Sequence, residues 1–231
     1  MTWLIVASLA YLFSVASLKR SWELMALLGR MSFYLTLALW IWFEAGEQAF
    51  KGSETSLLGW FIIGLALFLA GDVINHLGGK LAALALVPIA LAALAFALGF
   101  DIIQPDQYAL VPGVLLAVLV ASVAVRAFLQ MTVGLKKQGK YRTRLGLGMY
   151  AAAMAVLVFA GVFKMVDRGW PLLWAYSAGG GALAFAAGQL WQGWERMLGK
   201  QTVPAWMQVG TVNLGQLMMV AGAMFVYKEF L

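Results

Sequence analysis

The sequence predicts an all-α protein, a membrane bundle of eight transmembrane helices, and three observations carry that prediction. Hydrophobic residues make up 63% of the 231-residue chain and charged residues 11%; mean hydropathy is +0.87, far from the range of a soluble globular domain. Apolar runs of about 18 residues or more recur along the whole length, and a helix needs roughly 20 to cross the hydrocarbon of a bilayer. The basic residues gather in the short segments between those runs, and they do so on one side.

Eight spans account for the chain as a single domain, 1–231: about 1–18, 24–46, 57–77, 81–99, 108–130, 145–165, 172–194 and 206–228. The first run, MTWLIVASLAYLFSVASL, has its basic pair Lys19-Arg20 after it and none before it, so it is expected to be a retained span and not a removable signal. The third ends in a polar cluster, AGDVINHL. Pro88 and Pro112 fall inside the fourth and fifth, which membrane helices tolerate. The longest connection, MTVGLKKQGKYRTRL, precedes the sixth. The seventh carries the glycines of SAGGGALAFAAG, at 179–181 and 188, read as close-packing positions because no strand precedes them to form a phosphate-binding loop. Short connections imply that successive helices pack antiparallel.

An even number of spans divides the charges sharply. Lys19, Arg20, Arg30, Lys80, Arg126, Lys136, Lys137, Lys140, Arg142, Arg144, Arg196 and Lys200 fall on one side, 12 basic residues against 4 on the other, Lys51, Lys164, Arg168 and Lys228. Most of the acids join the smaller group. By the positive-inside rule the richer side is cytoplasmic. Both termini are then non-cytoplasmic, the expected setting is a bacterial inner membrane, and Trp170, Trp174 and Trp206 fall at interface depths.

Several functions are excluded or disfavoured by composition. There is no cysteine, hence no disulfide, thiolate nucleophile or Cys-based metal site. A single histidine argues against a metal centre, which needs three or four convergent ligands; no cofactor is expected. The net charge of +6 reflects orientation in the membrane and not nucleic-acid binding.

The polar residues within the spans are the informative ones. Asp72, Asn75 and His76 lie at i, i+3 and i+4, on one helical face, near the cytoplasmic end of the third span. Gln189 and Gln192 hold a similar depth in the seventh, Arg30 in the second, Tyr150 in the sixth and Arg126 in the fifth; Asn213 and Gln216 share one face of the eighth, somewhat deeper. Ionisable groups at membrane depth are costly and usually face a bundle interior or a wet cavity, so these residues are placed to converge. Each also has a plainer reading: Asp72 in a structural salt bridge with Arg30 or Lys80, His76 at the interface, Gln189 and Gln216 as interhelical hydrogen-bonding groups, Arg126 reaching lipid phosphates.

Four stretches resemble the YhhN family of polytopic membrane proteins: LFLAGDVINHL (67–77), LGLGMYAAAMAVLVFAG (145–161), GALAFAAGQLWQGWERM (181–197) and VNLGQLMMVAG (212–222). Characterised members include lysoplasmalogenases, which hydrolyse the vinyl ether of a lysophospholipid to an aldehyde and a glycerophospho head group. The resemblance implies a polar pocket opening to the cytoplasmic leaflet, with Asp72 as catalytic acid/base and Arg30, Tyr150, Gln189 and Gln216 as substrate-binding residues. Two departures stand out. The family's seventh span usually carries Ser-Asp where this chain has Gly188-Gln189, and its fourth usually carries a histidine, absent here. Vinyl-ether cleavage needs a proton donor and a base to orient water, and glutamine cannot exchange protons. The alternative is therefore a non-catalytic lipid-binding protein, or an accessory or assembly subunit of a membrane complex. A transporter is a third possibility, but no discontinuous helix pair or internal repeat supports it.

The orientation is directly testable because the chain has no cysteine of its own. Single cysteines placed at Gln138 and at Gly52 are expected to react with an impermeant thiol reagent from opposite sides of the membrane. Reaction from the same side would mean that a span has been miscounted.

Overall fold

A computed structural model of the chain describes residues 2–50, 57–78, 84–100, 110–137, 144–166, 170–198 and 203–227. The described residues form eight α-helices and one short 3-10 turn: α1 (Thr2–Lys19), α2 (Glu23–Ala45) with the turn Gly46–Ala49, α3 (Leu57–Leu77), α4 (Leu86–Gly99), α5 (Leu110–Lys137), α6 (Arg144–Phe163), α7 (Leu172–Leu198) and α8 (Ala205–Tyr227). Many of the charged residues used to orient the chain, including Lys51, Lys80, Lys140, Arg142, Arg168 and Lys200, lie outside the described residues.

By length and composition, six helices can cross a membrane: α1, α2 with its turn, α3, α5, α6 and α8. That makes this a multi-pass membrane protein. α4 has 14 residues, about 21 Å at 1.5 Å per residue, short of the roughly 30 Å of hydrocarbon. α7 has 27 residues, ample length, but serine, glycines and amides between Ser177 and Gln192 dilute its apolar character. The prolines sit differently from the sequence expectation. Pro88 and Pro112 are each the third residue of their helices, in the first turn, where the missing N–H leaves no intrahelical bond unmade.

The helix ends follow backbone chemistry. Ser21 adopts a left-handed φ of 61°, and the Trp22 N–H donates back to Ser17 O at 2.9 Å, closing α1 with a bond from the third residue past its end. Gly78, with φ 68°, ends α3 six residues beyond Asp72 and donates to Asn75 O. The polar end of AGDVINHL is thus partly a helix terminus: His76 and Leu77 are exposed there.

Packing closes a circuit in the order α1, α2, α3, α4, α6, α7, α8 and back to α1, with α5 outside it against α6 and α7. α8 is the most enclosed span and also reaches α2 and α3. Its tightest seam is with α7. A methyl group built on Gly215 would lie 2.5 Å from the Phe185 amide nitrogen, and one on Gly181 2.7 Å from Gly215 O. The glycines of the seventh span therefore do what the sequence suggested, letting two backbones approach where lipid supplies no hydrophobic drive for association. Next to this seam on α7, Phe185 meets Phe68 of α3 edge-on at 4.9 Å. Phe68 stacks on Phe96 of α4 at 5.7 Å, and Phe96 lies 5.4 Å from Phe61. At the far end the Tyr227 hydroxyl donates to Gly99 O at 3.0 Å, and Trp170, a residue the sequence placed at the interface, is buried between Phe100 and Tyr227.

Replacing Gly215 by alanine must push α7 from α8 because the obstructing atoms are backbone. A loss of about 1–3 kcal/mol is expected, read as a lowered unfolding midpoint in detergent. Gly146→Ala meets nothing within 4 Å and is expected to change the midpoint by less than about 0.5 kcal/mol. Equal effects would mean that the α7–α8 seam is looser than described.

Candidate functional site

Three helices bring a polar group together. On α2, Arg30 and Tyr34 are one turn apart on one face. α3 is held flush to α4 at Gly71, where a methyl group would meet the Ile89 side chain at 2.7 Å, and the next residue, Asp72, turns to α2. The Tyr34 hydroxyl donates to Asp72 Oδ2 at 2.8 Å, and Arg30 Nη1 stands 3.3 Å from the same oxygen. Neither contact uses Asp72 Oδ1. The Arg30 and Asp72 side chains keep 13% and 16% of their surface, whereas Tyr34 is 2% exposed. The pair is accordingly reachable from one edge and backed by buried groups.

α8 supplies that backing. Gln216 adjoins the Tyr34 hydroxyl, yet neither its Nε2 nor its Oε1 makes a hydrogen bond of good geometry. Asn213, one turn away on the same face, leaves both Nδ2 and Oδ1 without partners, as Arg30 does its Nε. Both amides are 0% exposed. Among the described residues every buried side-chain polar atom lacking a partner belongs to these three residues. An unmet buried donor or acceptor costs about 1–3 kcal/mol, and in folded proteins such atoms call for a specific explanation. Their concentration on Arg30, Asn213 and Gln216 makes this region the candidate site.

The remaining residues named from the sequence are arranged otherwise. Tyr150 and Gln189 pair with each other: the Tyr150 hydroxyl lies 2.9 Å from Gln189 O and 3.1 Å from Gln189 Oε1, a shared donation that fastens α6 to α7. Arg126 is exposed on α5, as expected for a residue reaching lipid phosphates. Gly188 cannot take the family's serine without displacement, since its Cβ would fall 2.7 Å from Val212 Cγ2 and 3.0 Å from the Val212 amide nitrogen. Sequence reading missed Tyr34; its position four residues after Arg30 was the available signal. Asn213 was noted for depth but not assigned to the site. Among the described residues no three His, Asp or Glu side chains converge as metal ligands would.

Comparison of the chain with protein-family models, with curated proteins and with solved structures gives no match in any of the three.

The pairing of Arg30 with Asp72 has a distinctive thermodynamic signature. Arg30→Met alone strands a partly buried carboxylate and is expected to cost about 3 kcal/mol, while adding Asp72→Leu to it should recover at least about 1 kcal/mol. Tyr34→Phe removes one hydrogen bond to a charged group, expected at about 1.5–3 kcal/mol. Additive costs for Arg30→Met and Asp72→Leu in denaturation would show that the two side chains are not coupled.

Proposed function

We propose that this protein binds the head end of a single-chain phospholipid at the Arg30–Tyr34–Asp72–Gln216 site. In this reading it is a YhhN-like membrane protein of the lysoplasmalogenase type. All eight helices span the bilayer, both termini are non-cytoplasmic, the membrane is a bacterial inner membrane, and the site opens toward the cytoplasmic leaflet. The observation that carries the reading is the set of unpartnered polar atoms on Arg30, Asn213 and Gln216 beside a half-engaged carboxylate. Amides offering both donors and acceptors suit the hydroxyl and ester oxygens of a lysolipid head, and the ion pair at the site's more exposed edge suits its charged end.

The chemistry available is that of one carboxyl group. Vinyl-ether hydrolysis begins once the Asp72 carboxylate has taken up a proton from water, and that proton passes to the alkene carbon remote from oxygen. The resulting oxocarbenium ion is attacked by water, whose proton returns to the carboxylate, and the hemiacetal collapses to aldehyde and alcohol. Oδ1, free of Arg30 and Tyr34, is the oxygen positioned for both transfers. Gln189 contributes no second acid, and its side chain is engaged with Tyr150. That engagement favours slow turnover and supports the alternative, a lipid-binding or accessory subunit in which recognition outlives the reaction.

The unmodified protein is expected to copurify with a single-chain phospholipid identifiable by mass spectrometry and to release aldehyde from lysoplasmalogen only slowly. Asp72→Asn is expected to abolish that release. Rapid hydrolysis by the unmodified chain that survives Asp72→Asn would sink the catalytic assignment. Absence of any bound single-chain lipid would sink the binding site itself.

A further inference from the structure

Beyond the polar site, α5 is set apart from the rest of the bundle. Only 6% of its spanning window is buried, and it touches α6 and α7 alone among its principal neighbours. Between these three helices lies a cavity of about 410 Å³. It extends along α5 from Leu116 to Met131 and along α6 from Tyr150 to Val162, roughly 20 Å at 1.5 Å per residue. Its lining is apolar except for Tyr150, whose hydroxyl is already committed to Gln189. A second cavity of about 360 Å³ adjoins the same helix pair and shares Ala124, Phe128, Ala151 and Ala155 with the first.

We propose that the larger cavity is a binding slot for one extended hydrocarbon chain of a membrane lipid. Small residues between membrane helices normally draw the backbones together, as they do at α7 and α8. The α5–α6 pair is equally rich in them, with Ala121, Ala124, Gly148, Ala151, Ala152 and Ala155; it closes at one end, where a methyl group on Gly113 would meet Phe163 at 2.6 Å, yet stays open around Gly148, where a methyl group would meet only Phe128, at 3.5 Å. The space has one dimension far longer than the others, and its length exceeds the roughly 15 Å that one leaflet's chains contribute to a bilayer of about 30 Å. A partner helix, 10–12 Å across in general, is too wide to enter and can only cover it. The lining asks for no hydrogen bond, so a polar ligand gains nothing there. Met131 and Met154 let the wall adjust to a flexible occupant. Occupancy is favoured by dispersion contacts along otherwise empty walls and not by a hydrophobic gain, since lipid chains are already in apolar surroundings. This slot stands independently of any reaction at Asp72.

The test uses the full chain in phosphatidylcholine vesicles doped with lysophosphatidylcholine carrying a photoreactive diazirine on its acyl chain. After irradiation and digestion, adducts on Met154, Ala151 and Ala155 are expected about tenfold more often than on the outward residues Ile5, Leu9 and Leu12 of α1, which are 57–61% exposed. Ala187→Phe, and separately Ala155→Phe, should fill the slot and lower labelling of its walls about tenfold while leaving α1 labelling unchanged. Two variants on different helices guard against one failing to fold. Even labelling of all outward faces, labelling unaffected by both fillings, or no labelling of the walls because α5 has closed onto α6 would each overturn the proposal. So would crosslinks from these walls to a second copy of the chain.

Discussion

The close approach of α7 and α8 is the constraint on which the rest of the molecule depends. At Gly181 and Gly215 the two backbones come nearer than any side chain allows, and this contact makes α8 the enclosed pillar of the bundle. Once α8 is seated there, its opposite face reaches α2 and α3. The seam thereby brings Gln216 beside Tyr34 of the ion-pair site, with Asn213 one turn away along α8. A looser seam would leave those amides to lipid, where an unmet polar group is unfavourable.

The polar site itself is an arrangement that a low-dielectric interior makes consequential. Arg30 and Asp72 neutralise each other, and Tyr34 adds a donor to the same carboxylate oxygen, so the pair is stable without further help. The amides behind it are not. A structure that pairs its two charges yet leaves four amide atoms and the Arg30 Nε without partners among the described residues has concentrated its unmet hydrogen-bonding capacity on three residues. Networks of this kind are costly when incomplete, which is why the reading of a ligand site rests there and not on the ion pair.

The bundle uses small residues in two opposite ways. Between α7 and α8 they remove space; between α5 and α6, away from the Gly113–Phe163 contact, they leave it. The difference follows from neighbours. α8 is pressed onto α7 by α1, α2 and α3 on its other sides, whereas α5 has protein only on its inner face and nothing described drives it inward. Peripheral placement turns the same residue types from packing contacts into walls of a cavity.

The sequence by itself determined the all-helical membrane architecture, because hydrocarbon demands long apolar runs with internally satisfied backbones, and those are visible residue by residue. It also narrowed the partner of Asp72 to Arg30 or Lys80, since a charge at that depth does not stand alone, and the structure pairs it with Arg30. The helix end at Gly78 and the close-packing role of the seventh-span glycines were equally legible, since both are local properties of the chain. Only the tertiary structure decided that Tyr34 joins the pair, that Tyr150 and Gln189 bind each other, and that Gly188 has no room for serine. Depth along a helix can be counted from sequence, but the direction a side chain faces in a bundle is set by which neighbours each helix acquires. Those neighbours, with α5 left outside the circuit, are fixed by packing between residues far apart in the chain.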